Sequence, residues 1–310
     1  VATSALSIFL FALGITLPIF VVLFLGLWLA RCGKLSEAFI RDANQIIYKI
    51  GLPIMLFLTC AMAEFSWDEN SALLLAFALM TLIVFFGAWM TTNLLRHTQD
   101  LGVIVQGSFR GNLVILGLAL AANAYGERGL AMAALPVAFT VLIYNFLSVF
   151  ILDRHRGLKA TLNGIITNPL ILAIAAGCLY NLTNLPIPSL IKTTAGYITQ
   201  MVLPLALICI GGSLNGRRLT HFDSAVISAN LWKLVASPAI AIALGLALGV
   251  NGEALVILFL LASAPTATVS YVMAEALNAN GKLAASIVAQ TTFFSLFTVT
   301  AGLVGLSYLS

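Results

Sequence analysis

Residues 101–123 read LGVIVQGSFRGNLVILGLALAAN. The run is long enough to cross a bilayer, whose hydrocarbon core takes about 20 apolar residues in helix. Its middle is a poor choice for a helix facing lipid. Gly107, Ser108, Phe109, Arg110, Gly111 and Asn112 place two glycines, a charge and an amide at mid-span. An ionisable group at that depth is costly and marks a functional site by default. A second run, residues 253–276, carries Ser263-Ala264-Pro265-Thr266-Ala267-Thr268 at its centre. Pro265 removes a backbone donor and clashes one turn back, which frees carbonyls. The neighbouring hydroxyls can satisfy those carbonyls or face a ligand. Two interrupted spans of this kind are the pattern of a secondary transporter, whose site lies between discontinuous helices near the midplane.

The composition fits that setting. Of 310 residues, 61% are hydrophobic and 8% charged, against about 25% charged in a soluble domain. This excludes a soluble globular enzyme and a disordered chain. Ten apolar runs follow one another: 5–30, 39–63, 71–95, 101–123, 129–152, 162–182, 190–214, 224–249, 253–276 and 282–306. They are long and continuously apolar, so they predict helices rather than barrel strands. The net charge is +4, but no basic stripe interleaves with aromatics, so nucleic acid is not a partner. Cys32, Cys60, Cys178 and Cys209 are isolated and read as small hydrophobes. The first run has no basic leader segment and reads as a mature span.

Lys and Arg set the orientation. The odd-numbered connections are assigned Arg31, Lys34, Arg41, Lys49, Arg96, Arg154, Arg156, Lys159, Arg217, Arg218 and Lys282, eleven residues, against Arg128 and Lys192 for the even-numbered ones. The odd connections are expected in the cytoplasm and both termini outside or in the periplasm. Arg110 and Lys233 fall inside spans. For Arg110, pairing with a substrate carboxylate stands beside binding to freed carbonyls; for Lys233, snorkelling to the interface is the expectation.

The chain also repeats itself. Thr16-Leu17-Pro18 matches Thr167-Asn168-Pro169, Gly26 matches Gly177, and Leu52-Pro53 matches Leu203-Pro204, all at a separation of 151 residues. Gly129 and Gly281 are 152 apart. Five spans per half is an odd number, so the halves must enter the membrane from opposite sides. The expected fold is all-α: ten transmembrane helices in two inverted five-helix repeats, residues 1–152 and 160–310, with broken helices 4 and 9 crossing. Half-helix N-termini at the breaks would attract an anion.

The candidate substrate-binding residues are therefore Arg110, Gly111, Asn112, Ser263, Pro265, Thr266 and Thr268, with Gly107, Gly111, Pro265, Pro53 and Pro204 as helix breaks or hinges. Asn44, Asn145, Gln290, Thr291 and Thr292 read as interhelical hydrogen-bonding groups. No carboxylate lies deep in a span, and His97, His155 and His221 lie in connections. Neither a carboxylate proton relay, a metal site nor a catalytic set is expected, and no phosphate-cradling sequence is present. No cofactor is expected; coupling to Na⁺ or H⁺ stays open, and so does a homodimer.

An ordered set of motifs resembles a known family. Asn44 with Pro53 and Phe57, Asn112 with Gly117 and Tyr125-Gly126, Asn168-Pro169, Pro204-Leu205-Ala206-Leu207 with Gly211 or Gly212 and Leu214, Ala262 to Thr268 with Tyr271, and Ala284-Ala285-Ser286-Ile287-Val288 follow in sequence. Together they resemble the auxin efflux carrier family, in a compact bacterial form. Gly111 and Ala119 stand where plant members have prolines, and Val269 where bacterial members often have Asn. The resemblance implies a bile-acid-symporter-like fold. A scaffold of spans 1, 2, 6 and 7 and a transport body of spans 3–5 and 8–10 would move past each other in elevator fashion. It also implies an organic anion such as auxin, malate or malonate as substrate, in the bacterial inner membrane. A sodium-coupled symporter for a larger amphipathic anion, such as a bile acid, is the competing expectation.

Overall fold

The structure is a computed structural model that describes residues 5–62, 67–95, 99–152, 169–183, 185–214, 223–277 and 279–307. His97, His155, His221, Asn168 and the basic residues Arg96, Arg154, Arg156, Lys159, Arg217 and Arg218 lie outside the described residues.

The protein is all-helical: α1 (Ala5–Arg31), α2 (Glu37–Ala61), α3 (Trp67–Leu94), α4 (Leu101–Phe109), α5 (Leu113–Leu152), α6 (Pro169–Asn181), α7 (Ser189–Ser213), α8 (Ser224–Ala247), α9 (Gly252–Ala262), α10 (Thr268–Ala276) and α11 (Gly281–Leu306). Among the described residues, seven helices are long and apolar enough to cross a membrane, and α6 and α9 are shorter apolar helices. The count differs from ten for a physical reason. The runs at 101–123 and 253–276 are each split at mid-span, into α4 with the start of α5 and into α9 with α10. The run at 162–182 keeps only α6 in described helix.

Helix α5 covers two runs. At Tyr125 and Gly126 its dihedrals leave the helical region, and Gly126 has φ 60°, a conformation that suits glycine. Eight residues of continuous helix span about 12 Å. Instead, a Cβ placed on Gly129 would collide with the carbonyl of Ala121, so the chain folds back on itself there.

Two prolines follow wide turns. The π-helical turn Ile47–Gly51 precedes Pro53 in α2, and Trp232–Ala236 precedes Pro238 in α8. A wide turn relieves the clash that proline makes with the carbonyl four residues back. Pro204 and Pro18 sit inside continuous helices. Lys49, assigned by its charge to a connection, lies in the π turn of α2 and is exposed.

Helices α1 and α7 pack along each other, as do α2 and α6. Glycines carry both contacts. A Cβ on Gly26 would overlap the Ile208 carbonyl, and one on Gly177 would lie 2.6 Å from the Phe57 carbonyl oxygen. Gly26 and Gly177 are 151 residues apart, and so are Phe57 and Ile208. The two crossings are thus made by the same pair of positions with the roles of the halves exchanged. With no hydrophobic driving force in lipid, such close approach is what holds helices together.

Side chains at either glycine should therefore separate these helices. Gly26→Leu and Gly177→Leu are expected to destabilise the protein by about 1–3 kcal/mol each. Gly14→Ala, whose Cβ meets nothing within 4 Å, should stay within about 0.5 kcal/mol. Thermal unfolding in detergent would read all three; equal behaviour of Gly14 and Gly26 variants would refute the packing role.

Candidate functional site

The two breaks lie across each other. Gly111 and Thr266 form an isolated antiparallel bridge. The Asn112 amide donates to the Pro265 carbonyl at 2.7 Å, and the Ala267 amide donates to the Arg110 carbonyl at 2.9 Å. Irregular backbone at membrane depth is tolerated only where its polar groups are satisfied, and here each break satisfies the other. Glycine at 111 lets the chains meet. A Cβ there would lie 3.0 Å from Lys233 Nζ and 3.2 Å from the Ala264 carbonyl oxygen.

Side chains brace the crossing. The Thr266 hydroxyl donates to the Gly107 carbonyl at 2.6 Å, and the Thr266 amide donates to Thr291 Oγ1 at 3.1 Å. Arg110 is buried and reaches into α5. Its Nη1 donates to the Tyr144 carbonyl at 3.0 Å and to Ser148 Oγ at 2.8 Å, and its Nη2 donates to Asn145 Oδ1 at 2.8 Å. Of the two expectations for Arg110, binding to backbone and side-chain oxygens is the one seen, while its side chain also borders the cavity described below. Behind it, Phe109 packs edge-on against Phe85 and Tyr144, with ring centroids 5.5 Å apart in both pairs.

A cavity of about 900 Å³ lies on one side of the crossing. Arg110, Gly111, Asn112, Leu113, Val114 and Ile115 line it from the first break, and Ala267, Thr268, Val269 and Tyr271 from the second. The opposite wall comes from α2, α6 and α7 through Asn44, Tyr48, Leu170, Cys209 and Ile210. It extends to Glu37 and Arg41 at the start of α2.

The polarity of this arrangement matters. The lining takes in the N-terminal ends of α5 and α10, but not Gly107–Phe109 or Leu261–Thr266, where α4 and α9 end. Helix N-termini present unpaired amides and a partial positive charge of about half a unit. The Asn112 side chain adds a donor, for its Nδ2 is buried without a hydrogen-bond partner. The lining therefore combines two helix N-termini with one unpartnered side-chain amide.

Of the seven candidate binding residues, the fold brings Arg110, Gly111, Asn112 and Thr268 to the cavity. Ser263, Pro265 and Thr266 lie in the crossing but outside the lining, with Thr266 engaged by Gly107 and Thr291. Among the hinge candidates, Gly107 sits inside α4 one turn before the break, and a Cβ there would approach Ile287 Cγ2 to 2.9 Å. The fold also brings Tyr48 and Tyr271 into the lining from α2 and α10, the first absent from the sequence-based candidates and the second present there only as a motif residue. No periodic signal distinguishes them from other half-buried aromatics. Lys233, expected to snorkel, is instead fully buried, because its position in the π turn points it inward.

Crossed broken helices beside a cavity are a pattern of secondary transporters. Comparisons with known proteins agree. The family described as "Membrane transport protein" matches residues 11–164 and 155–302. An uncharacterized transporter of Methanocaldococcus jannaschii is 26% identical over 305 residues, covering 93% of this chain and 96% of that protein. An uncharacterized transporter of Methanothermobacter thermautotrophicus is 24% identical over 299 residues, covering 94% and 97%. A candidate malonate transporter of Rhizobium meliloti is 27% identical over 315 residues, covering 96% and 95%. The chain belongs to the auxin efflux carrier family of membrane transport proteins.

Thr266 and Thr268 should separate bracing from lining. Thr266→Val leaves the buried Gly107 carbonyl without its donor and is expected to cost about 1–3 kcal/mol of stability. Thr268→Val should change stability by less than about 0.5 kcal/mol. Chemical or thermal unfolding of the two variants checks this, and the reverse ranking would overturn the assignment.

Proposed function

We propose that the protein is a secondary carrier for a small organic anion, a carboxylate or dicarboxylate, working by elevator-type alternating access. One observation carries the proposal: two helix N-termini border the same cavity, and Asn112, whose side-chain Nδ2 has no hydrogen-bond partner, stands in its lining. In it a carboxylate would accept hydrogen bonds from Asn112 Nδ2 and from amides near Gly111 and Thr268, with the Arg110 guanidinium adding charge nearby. Charge-assisted bonds of this kind are roughly twice as strong as neutral ones. The name of the Rhizobium relative, a candidate malonate transporter, points to the same class of substrate.

The architecture we infer has two inverted five-helix repeats, with α1, α2, α6 and α7 as scaffold and α3–α5 with α8–α11 as the moving body. The exchanged glycine contacts support the repeat, since a two-fold axis in the membrane plane would produce them. The cavity lies between these two bodies, as a moving site requires. It reaches the α1–α2 connection, which carries Arg31 and Lys34 and which the charge rule assigns to the cytoplasm. In this reading the site faces the cytoplasm and both termini face outward.

The cavity volume favours a second reading. About 900 Å³ is near the upper end for small-molecule sites, and apolar residues such as Leu52, Val141 and Ile210 contribute to its lining. A larger amphipathic anion taken up with sodium would use that space.

Thermal-shift and proteoliposome uptake measurements with malonate, malate, an aromatic monocarboxylate and a bile acid distinguish the two. Stabilisation and uptake with the small carboxylates are expected, and Asn112→Ala should weaken binding by about tenfold, the loss of one charge-assisted hydrogen bond. A response to the bile acid alone would favour the second reading. No response to any organic anion, or an Asn112→Ala protein that binds like wild type, would sink the assignment.

A further inference from the structure

The cavity leaves one buried charge unexplained. Lys233 is fully buried, does not line the cavity, and its Nζ has no hydrogen-bond partner. Its place is enforced rather than incidental. The preceding residue, Trp232, seats its ring against Gly87 of α3 and donates from Nε1 to Thr91 Oγ1 at 2.9 Å. The π turn Trp232–Ala236 then puts Lys233 on the face opposite to lipid. There the ammonium and the Ala264 carbonyl oxygen both border the space that a Gly111 side chain would fill. One turn on, Ser237 Oγ donates to the Ala262 carbonyl at 3.2 Å, so this stretch of α8 runs beside the C-terminal end of α9.

Among the described residues nothing acidic answers this charge. No Asp or Glu occurs among the buried described residues, and the other buried cation is Arg110. The elements packed against the π turn are α3, α4, α8 itself and α11. They present Thr91, Gln106, Asn230, Gln290 and Thr291 as their polar groups near this level. What remains is the backbone. Helices α4 and α9 both end at the crossing, and each C-terminus carries about half a negative charge. Such ends, with the carbonyls freed at a break, are where carriers of broken-helix design hold a coupling cation.

We propose that the Lys233 ammonium is a resident cation of the helix crossing, filling the electrostatic place of a bound metal ion, so that anion binding in the cavity needs no sodium. The inference rests on the carrier reading above. The crossing is divided: the carbonyl end of α9, at Ala264, borders the same space as Lys233, and the N-terminal ends of α5 and α10 border the cavity. Lys233 acts as a positioning residue, since it touches no substrate. Its field reaches the cavity through the bridge and scales with the charge of the ligand. A metal ion entering beside it would meet a like charge and no carboxylate.

Thermal unfolding of the purified protein in equal concentrations of sodium, potassium and choline chloride tests the first part without any substrate. The wild type is expected to unfold at the same temperature in all three. A stabilisation specific to sodium would overturn the proposal, whether or not transport of any carboxylate is found. The second part compares malonate with acetate on Lys233→Met and Lys233→Gln. A field effect should weaken a monoanion by about tenfold and a dianion by about a hundredfold, whereas a merely structural role would weaken both alike. Equal losses, or none, would overturn it. Should neither variant fold, the sodium measurement on wild type still decides. Failure of all carboxylates to bind would defeat the carrier assignment and leave the sodium result standing.

Discussion

The structure depends on two hydrogen bonds, from the Asn112 amide to Pro265 and from the Ala267 amide to Arg110. An unsatisfied backbone group in hydrocarbon costs several kcal/mol, so neither break can stand alone. Each is possible because the other crosses it in antiparallel register. That single constraint explains why residue 111 is glycine, why Thr266 spends its hydroxyl on Gly107, and why Thr291 faces the Thr266 amide. It also fixes the four helix ends at one level. Two carbonyl ends and two amide ends meet there.

The rest of the molecule serves to hold that crossing against a wall. The aromatic rings of Phe85, Phe109 and Tyr144 pack behind the first break, and Arg110 is tied to α5 by three hydrogen bonds. On the other side of the cavity, α1 with α7 and α2 with α6 approach closely at Gly26 and Gly177. Glycine lets the backbones of that wall approach closely. Between that wall and the crossing lies the cavity, lined from both.

Much of this was legible in residues alone. Gly107 to Asn112 and Ser263 to Thr268 announced the breaks, because glycine, proline and a charge have few other uses at mid-span. Gly26 and Gly177, 151 residues apart in sequence, each sit against a helix carbonyl, of Ile208 and of Phe57. Lys233 was misread, because snorkelling is judged from distance to a helix end. Its burial is decided by the π turn and by the notch that Gly87 offers to Trp232. Arg110 was only half legible: its depth follows from its place at mid-span, but its partners on α5 do not.

By itself, then, the sequence determined an all-helical membrane chain, the places where its helices break and the scarcity of buried charge. Those follow from local chemistry, since solvation and backbone valence act residue by residue. Only the tertiary structure decided which broken ends face the cavity. Thr266 and Thr268 are two residues apart, yet one braces the crossing and the other lines the cavity. Such a division depends on the direction in which one half of the chain crosses the other, and no local rule encodes that.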